Sequence, residues 1–483
     1  MREQRPRTRA TASTQSGGRG PSRRTVLKGS VGAATLLAFP GLSASPIAAA
    51  TSSSDNAMQP LAGGHPLFVY GIPAPSQGYA ARLRAVRPAA LGTSTPATSS
   101  LVGEGLVTPP AISGDGRTLA LVSVQEQQAP TGVIVSLVDT ATGVVSGRAQ
   151  LRLPRLPPGT LLIVTPVFSA NATTLALLLA VTIRTPQGTT TKRHPDTGAL
   201  RTIAVYDSVA HHELAYLDVS SLSFSGPYDL GDQGTLELAN VYADYQNVYV
   251  WTMKAPVAGP KRSTPVAPMT ATYALGSGTA SYTAPAPGTW PVNNEPIVGL
   301  PSGQFVRLIN GYELESYSLG GRFERSQPLG YLSPQRATRA PTSMTTAPGG
   351  MVFLNNPGLG RAAILRLTSG GLVPQARVTY PRPHFTGGPS RSAGVLSSDG
   401  TTFYTLGNSK QAGLSSYDVK SGTLEHAYSH GEHYVSVHAL PTGELVAVSE
   451  SNPRLNFFSN DLEPLAAVRT DIYVSAVFAR ATT

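Results

Sequence analysis

Between Ser392 and His430 the chain reads SAGVLSSDGTTFYTLGNSKQAGLSSYDVKSGTLEHAYSH. Two turn signals, Asp399-Gly400 and Ser421-Gly422, each sit between runs that alternate apolar with polar residues. Asp-Gly and Ser-Gly supply the positive φ angles of tight hairpins, and the alternation buries one sheet face. The same phrase recurs at Pro110 to Val124 (PAISGDGRTLALVSV) and Pro166 to Ala180 (PVFSANATTLALLLA). Looser copies start at Asn240, Pro296, Ser343 and Ser436. Each copy is followed by a second hairpin, with turns expected at Asp139–Gly143, Asp207–Glu213, Gly276–Gly278, Gly320-Gly321, Ser369–Gly371, Lys420–Gly422 and Ser459–Asp461. The His211-His212 pair falls in the second of these turns and reads as surface decoration.

A four-stranded sheet made of two such hairpins cannot bury both of its faces. Repetition around an axis removes the problem, because each sheet packs on its neighbours. The chain therefore reads as all-β, with seven in-chain units of roughly 40 to 68 residues forming propeller blades. The longer units carry insertions such as Thr182 to Arg201. With 49 Gly and 41 Pro, long helices are disfavoured. Unassigned strands remain at both ends: Asp471 to Arg480 is a first strand without a second, and His65 to Pro88 holds later strands without a first. Joined, they give a composite closing blade and an expected total of eight, or seven if one unit is not a blade. The phrase pattern, best in Ile112 to Gly143 and Leu396 to Gly422, resembles the YVTN and quinoprotein-dehydrogenase-like propellers, broad relatives of WD-repeat proteins. It departs from true WD repeats, since neither Gly-His nor Trp-Asp recurs. The resemblance implies a fold, and such propellers include enzymes, cofactor binders and binding scaffolds.

The first fifty residues differ from the rest. Ser22-Arg23-Arg24-Thr25-Val26-Leu27-Lys28 resembles the bacterial twin-arginine export motif, with Val26 where that motif usually has Phe. A short apolar run, Gly29 to Leu42, and a small-residue cleavage triplet ending at Ala50 follow. The run is far shorter than the roughly 20 residues of a membrane-spanning helix. The expected organisation is a signal peptide over 1–50, a disordered linker over 51–64 and a single propeller over 65–483. Eight of the 37 Lys and Arg and one of the 27 acids lie in the signal, so the mature chain keeps 29 and 26 and its net charge falls from +10 to +3. That balance gives no reason to expect a nucleic-acid partner. The chain has no cysteine, which excludes disulfides, thiolate metal sites and a cysteine nucleophile. The expected product is a secreted monomer, with no transmembrane segment in the mature chain.

The densest chemical cluster is LEHAYSHGEHYVSVH, where His426, His430, His433 and His438 stand with Glu425 and Glu432. Imidazole with carboxylate is a donor set for a divalent metal, and the loop His430–His433 is the candidate place for one. In a propeller that loop joins the outer strand of one blade to the inner strand of the next, at the mouth of the central channel. Loops of the same type carry Trp290, Arg382, His384 and Asp471 as candidate ligand-binding residues, with Tyr228, Asp229 and Arg469 beside them. No G-x-S-x-G, H-E-x-x-H, P-loop or EF-hand motif is present. Two readings follow: a scaffold binding a protein, a glycan or another envelope component, with no cofactor, or a hydrolase, lyase or oxidoreductase with its site at the channel mouth.

Overall fold

The computed structural model describes residues 66–73, 80–87, 98–126, 130–154, 156–157, 160–193, 200–230, 240–254, 267–284, 296–309, 313–318, 321–332, 343–383, 392–408, 412–429, 431–440, 442–450 and 453–479. Among them there are strands and turns and no helix, and hence none long and apolar enough to cross a membrane. Every strand pair among the described residues is antiparallel, and most strands are short runs rich in Val, Leu, Ile, Tyr and Thr, residues that fit a pleated, half-buried surface.

Three strands open the described chain: β1 (Leu67–Pro73), β2 (Ala81–Arg87) and β3 (Thr98–Leu106). The next sheet holds β4 (Ala111–Ile112), β5 (Thr118–Gln125), β6 (Gly132–Asp139) and β7 (Val145–Arg152). Six further four-stranded meanders follow. They are β8 (Leu161–Phe168), β9 (Thr174–Arg193), β10 (Leu200–Asp218) and β11 (Phe224–Asp229); β12 (Asn240–Ala243), β13 (Asn247–Lys254), β14 (Ala267–Ala274) and β15 (Ala280–Ala284); and β16 (Ile297–Gly299), β17 (Phe305–Ile309), β18 (Glu313–Tyr317) and β19 (Phe323–Pro328). The last three are β20 (Ser343–Ala347), β21 (Met351–Asn356), β22 (Arg361–Thr368) and β23 (Gly371–Thr379); β24 (Gly394–Leu396), β25 (Thr402–Leu406), β26 (Leu414–Asp418) and β27 (Leu424–Tyr428); and β28 (Tyr434–Ala439), β29 (Leu445–Ser449), β30 (Arg454–Phe458) and β31 (Pro464–Arg469). The final strand, β32 (Ile472–Phe478), returns to pair with β1. The order β32-β1-β2-β3 thus makes one four-stranded set, joined to β5 by a single pair, Leu106 opposite Ser123. β3 is the strand that sequence reading missed, because its Gly103 and Gly105 break the alternation.

The core is divided between sheets. Among the described residues six buried apolar clusters each join two sheets that are consecutive in the chain: Val135 with Leu177, Leu178 with Val250, Trp251 with Phe305, Leu308 with Leu354, Phe353 with Phe403, and Leu406 with Leu445; a seventh joins Val446 of the last meander to Val69 of β1, and an eighth, Leu83 with Leu119, lies between the two halves of the first sheet. Among the described residues no sheet closes on itself, and the buried apolar side chains lie where one sheet faces another.

Three of the first-hairpin turns share one construction. In Ser397-Ser-Asp399-Gly400 the Ser397 hydroxyl donates to Asp399 at 2.6 Å and accepts from the Thr402 N–H at 3.0 Å, while Asp399 accepts the Thr401 N–H at 3.0 Å. Ser113 and Asp115 repeat it with Arg117 and Thr118, and Ser169 and Asn171 repeat it with Thr173 and Thr174. The fourth position is Gly116 at φ 68°, Gly400 at φ 76° and, in the third copy, Ala172 at φ 59°.

One expected turn is corrected. Asp207–Glu213 is not a hairpin tip but the continuous middle of β10, and His212 is fully buried there. The second hairpin of that sheet turns at Asp218, whose carboxylate accepts the N–H groups of Ser220 and Ser221 at 2.9 and 2.8 Å. Its left-handed position is Leu222 at φ 56°, where the equivalent turns have Gly143 and Gly422. Without that glycine the turn gave no sequence signal, and burial of His212 follows from its place beside the Leu214 core rather than in a loop.

Candidate functional site

The connections that lead from a fourth strand to the next first strand carry the candidate polar groups. Ahead of β28, Glu432 Oε2 accepts from the Tyr434 hydroxyl and from Asn456 Nδ2, each at 3.4 Å. Tyr434 opens β28 and Asn456 lies in the middle of β30, so the carboxylate is held by two strands of one sheet. Burial, followed by the charge of Glu432, pushes the Tyr434 hydroxyl far above its ordinary value. Tyr428, the last residue of β27 in the preceding sheet, is raised by burial and by the same carboxylate, with the Arg454 charge acting in the opposite sense. Both phenols therefore keep their protons at neutral pH, and Tyr434 donates its own to Glu432. His433 contributes its carbonyl, which accepts the Glu450 N–H at 2.9 Å and ties the connection to the end of β29.

The connection ahead of β32 is built on ions. Asp471 accepts from Arg84 and, at 3.4 Å, from Arg82 Nη1; Arg82 also pairs with Glu104 at 2.7 Å. Both arginines come from the short alternating stretch ARLRAVR of β2, which places them on one sheet face with Leu83 on the other.

A third polar group lies inside the protein. Arg307 on β17 and Glu315 on β18 stand opposite one another, with 0% and 1% of their side-chain surface exposed and Nη1 to Oε2 at 3.4 Å. Tyr317 donates to the same carboxylate oxygen at 2.6 Å, and the Arg307 guanidinium sits over the Trp251 ring at 5.1 Å. The charge is delocalised and weakly hydrated, which suits it to an aromatic site between sheets.

Of the expected site residues, Glu432, His433, Asp471 and Arg382 are described, whereas Trp290, His384 and His430, with the export residues Arg23, Arg24 and Ala50, lie outside the described residues. Glu432 and Asp471 belong to separate networks with different partners. Arg382 lies in the connection from β23 to β24. Tyr228, Asp229 and Arg469 prove to be the closing residues of β11 and β31 rather than loop residues. Among the described residues no group of three or more His, Asp or Glu side chains is arranged to hold a metal ion. Sequence reading missed Tyr428, Tyr434, Asn456, Arg82 and Arg84 as partners. The single Arg in FVRLI and the second Glu in ELESY were the available sign of the buried Arg307 and Glu315 pair.

No family model matches the chain, and no curated protein matches it. Among solved structures, a protein from Lactobacillus plantarum aligns at 12% identity over 86% of this chain and 99% of its own, with a TM-score of 0.43. A β-propeller domain from Myceliophteria thermophila aligns at 10% identity over 77% of this chain and 98% of its own, TM-score 0.38. BamB from Moraxella catarrhalis aligns at 9% identity over 75% and 87%, TM-score 0.42. Scores and identities this low carry no functional conclusion.

Proposed function

We propose that this chain is an exported β-propeller of eight blades, closed by its terminal strands, that serves as a binding scaffold in the bacterial envelope or outside the cell. The blade count is supported by the eight clusters, which link each four-stranded set to the next and the last back to the first. The observation that carries the binding reading is the Glu432 network. Its carboxylate is engaged by Tyr434 and Asn456 on two strands of one sheet, so the group presents donors and acceptors in fixed positions. Such a surface suits a hydroxylated or amide-bearing ligand, a glycan or a polypeptide.

The test is retention of envelope fractions, wall glycan and membrane protein separately, on immobilised residues 51–483. Wild type retains one fraction, and Glu432→Ala weakens retention roughly tenfold by leaving Tyr434 and Asn456 without their acceptor. Equal retention by the variant, or none by either protein, rejects the reading. Metal analysis of exported protein, paired with His430→Ala, addresses the enzymatic alternative: one equivalent of a divalent ion, lost in the variant, replaces scaffold with catalyst. Export by the twin-arginine route predicts that Arg23→Lys with Arg24→Lys keeps the protein inside the cell.

A further inference from the structure

Between Glu324 and Asp399 the chain holds eight arginines and no Asp, Glu or Lys, so this one stretch supplies eight of the formal net charge of +10. The whole meander β20 to β23 lies inside it. An arginine on that sheet finds no carboxylate among its sequence neighbours. Its counter-charge has to come from another sheet or from a ligand.

Three of these arginines meet where β22 begins and β23 ends. Arg361 stands opposite Thr379 and Ala363 opposite Arg377, so alternation puts Arg361 and Arg377 on one sheet face. Tyr331, from the connection between β19 and β20, lies against both: the Arg377 guanidinium is 5.1 Å and the Arg361 guanidinium 5.3 Å from its ring centre. The tyrosine is pinned, since its hydroxyl donates to the Val378 carbonyl and Arg361 Nη1 donates to the Tyr331 carbonyl, each at 2.8 Å. The Tyr380 N–H donates to the Gly360 carbonyl at 2.9 Å, which draws the chain after β23 back to the start of β22. Arg382 leaves from that point: its backbone nitrogen is 3.4 Å from where a Cβ on Gly360 would stand. Arg377 and Arg382 are exposed, and among the described residues no carboxylate pairs with any of the three.

We propose that this end of the β20 to β23 sheet binds a phosphate group, held by Arg361, Arg377 and Arg382, at a site separate from the Glu432 network. Tyr331 offers a ring quadrupole, which attracts the guanidiniums but cancels none of their charge. Guanidinium forks match carboxylate and phosphate oxygens alike, so charge decides between the two. A carboxylate brings a single negative charge to three cations. A phosphate monoester brings roughly −1.5 to −2 at pH 7 and three strong acceptor oxygens. Among the described residues the Arg377 side chain donates to no protein acceptor, so its fork is open to such a group.

Isothermal titration calorimetry of the protein with inorganic phosphate reads the site directly, with circular dichroism reporting the fold of each variant. Wild type takes up one equivalent. Arg361→Gln and Arg377→Gln each weaken binding at least roughly tenfold, and Arg377→Gln decides if Arg361→Gln, which also loses its bond to Tyr331, fails to fold. Arg366→Gln removes the same charge from the far end of β22, opposite Val373, and leaves binding within roughly twofold of wild type. Acetate binds at least roughly tenfold more weakly than phosphate. Glycerol phosphate separates the sources: affinity equal to that of inorganic phosphate assigns the group to a larger ligand, and uptake of the free ion alone assigns it to inorganic phosphate. A wild type that takes up no phosphate, a folded Arg377→Gln that binds as wild type does, an equal loss in Arg366→Gln, or acetate bound as tightly overturns the site.

Discussion

Asp471, one residue ahead of the last strand, accepts hydrogen bonds from Arg84 and Arg82 on β2, so one carboxylate ties the two ends of the described chain across 387 and 389 residues. The strands between them are β32 and β1, paired from Phe68 opposite Phe478 to Pro73 opposite Ile472. Gly71 lets them approach: a Cβ there would collide with the Tyr473 carbonyl oxygen.

Asp471→Asn keeps the shape and removes the charge, leaving two partly buried guanidiniums facing a neutral amide. The pair lies between the exposed and the buried limits, and the expected loss is about 1–3 kcal/mol in urea unfolding. Gly71→Ala forces the terminal strands apart and costs at least as much. If both variants unfold at the wild-type midpoint, the terminal pairing is not a point of stability.

The recurrent turn offers a gain and a loss. Ala172 holds φ 59° where its counterparts are glycines, a conformation that costs a side chain about 1 kcal/mol. Ala172→Gly is therefore expected to stabilise by about 0.5–1 kcal/mol. Gly400→Ala goes the other way, by about 1 kcal/mol or more, because φ is 76° and the new Cβ would meet Pro348 Cδ at 3.0 Å. Opposite signs in thermal melts of the two variants are the check, and two changes of the same sign refute the shared geometry.

Turn chemistry also decided what could be read from the residues alone. Where glycine occupies the left-handed position, as at Gly116, Gly143, Gly400 and Gly422, the hairpins are visible in the sequence. Where Leu222 takes that position, the signal vanished and a turn was placed instead at the histidines His211 and His212. The polar site was partly legible, because the residues that precede first strands, Glu432 and Asp471, are fixed by the hairpin grammar. Their partners were not, since Arg84 and Asn456 reach them through strand register and sheet packing between distant segments. The Arg307 and Glu315 pair stayed hidden for a related reason: alternation assigns a side chain to a face, but only sheet stacking says whether that face is dry.

Removing half of that dry pair is expected to be costly. Glu315→Gln leaves the Arg307 charge buried without its counter-ion and should destabilise by about 3–5 kcal/mol, whereas R307M/E315L, apolar at both positions, should recover most of the loss. Trp251 reports the change, because the guanidinium lies over its ring at 5.1 Å and the chain has only two tryptophans. A double variant as unstable as the single one would show that the aromatic cluster itself requires the charge.

His438 on β28 supplies a pH dependence with a definite sign. Burial lowers its pKa from the usual 6.5 to about 4, with Nε2 3.1 Å from the Ser436 hydroxyl. The folded state thus resists a proton that the unfolded chain accepts, so the stability concerned is complete above pH 6.5 and is lost as the pH falls to about 4. The effect is on the order of 3 kcal/mol at its full extent. Carboxylates in the turns act in a lower window. The Ser221 N–H and the Ser220 and Ser221 hydroxyls draw Asp218 down to about 2, and the Ser397 hydroxyl and the Thr401 N–H lower Asp399. Their contribution is present above the ordinary carboxylate range, near 4, and disappears below it. Urea midpoints measured from pH 7 to 4 should fall for the wild type and stay nearly level for His438→Gln, which cannot charge. A variant whose midpoint falls as steeply as the wild type's would assign the acid sensitivity to some other group.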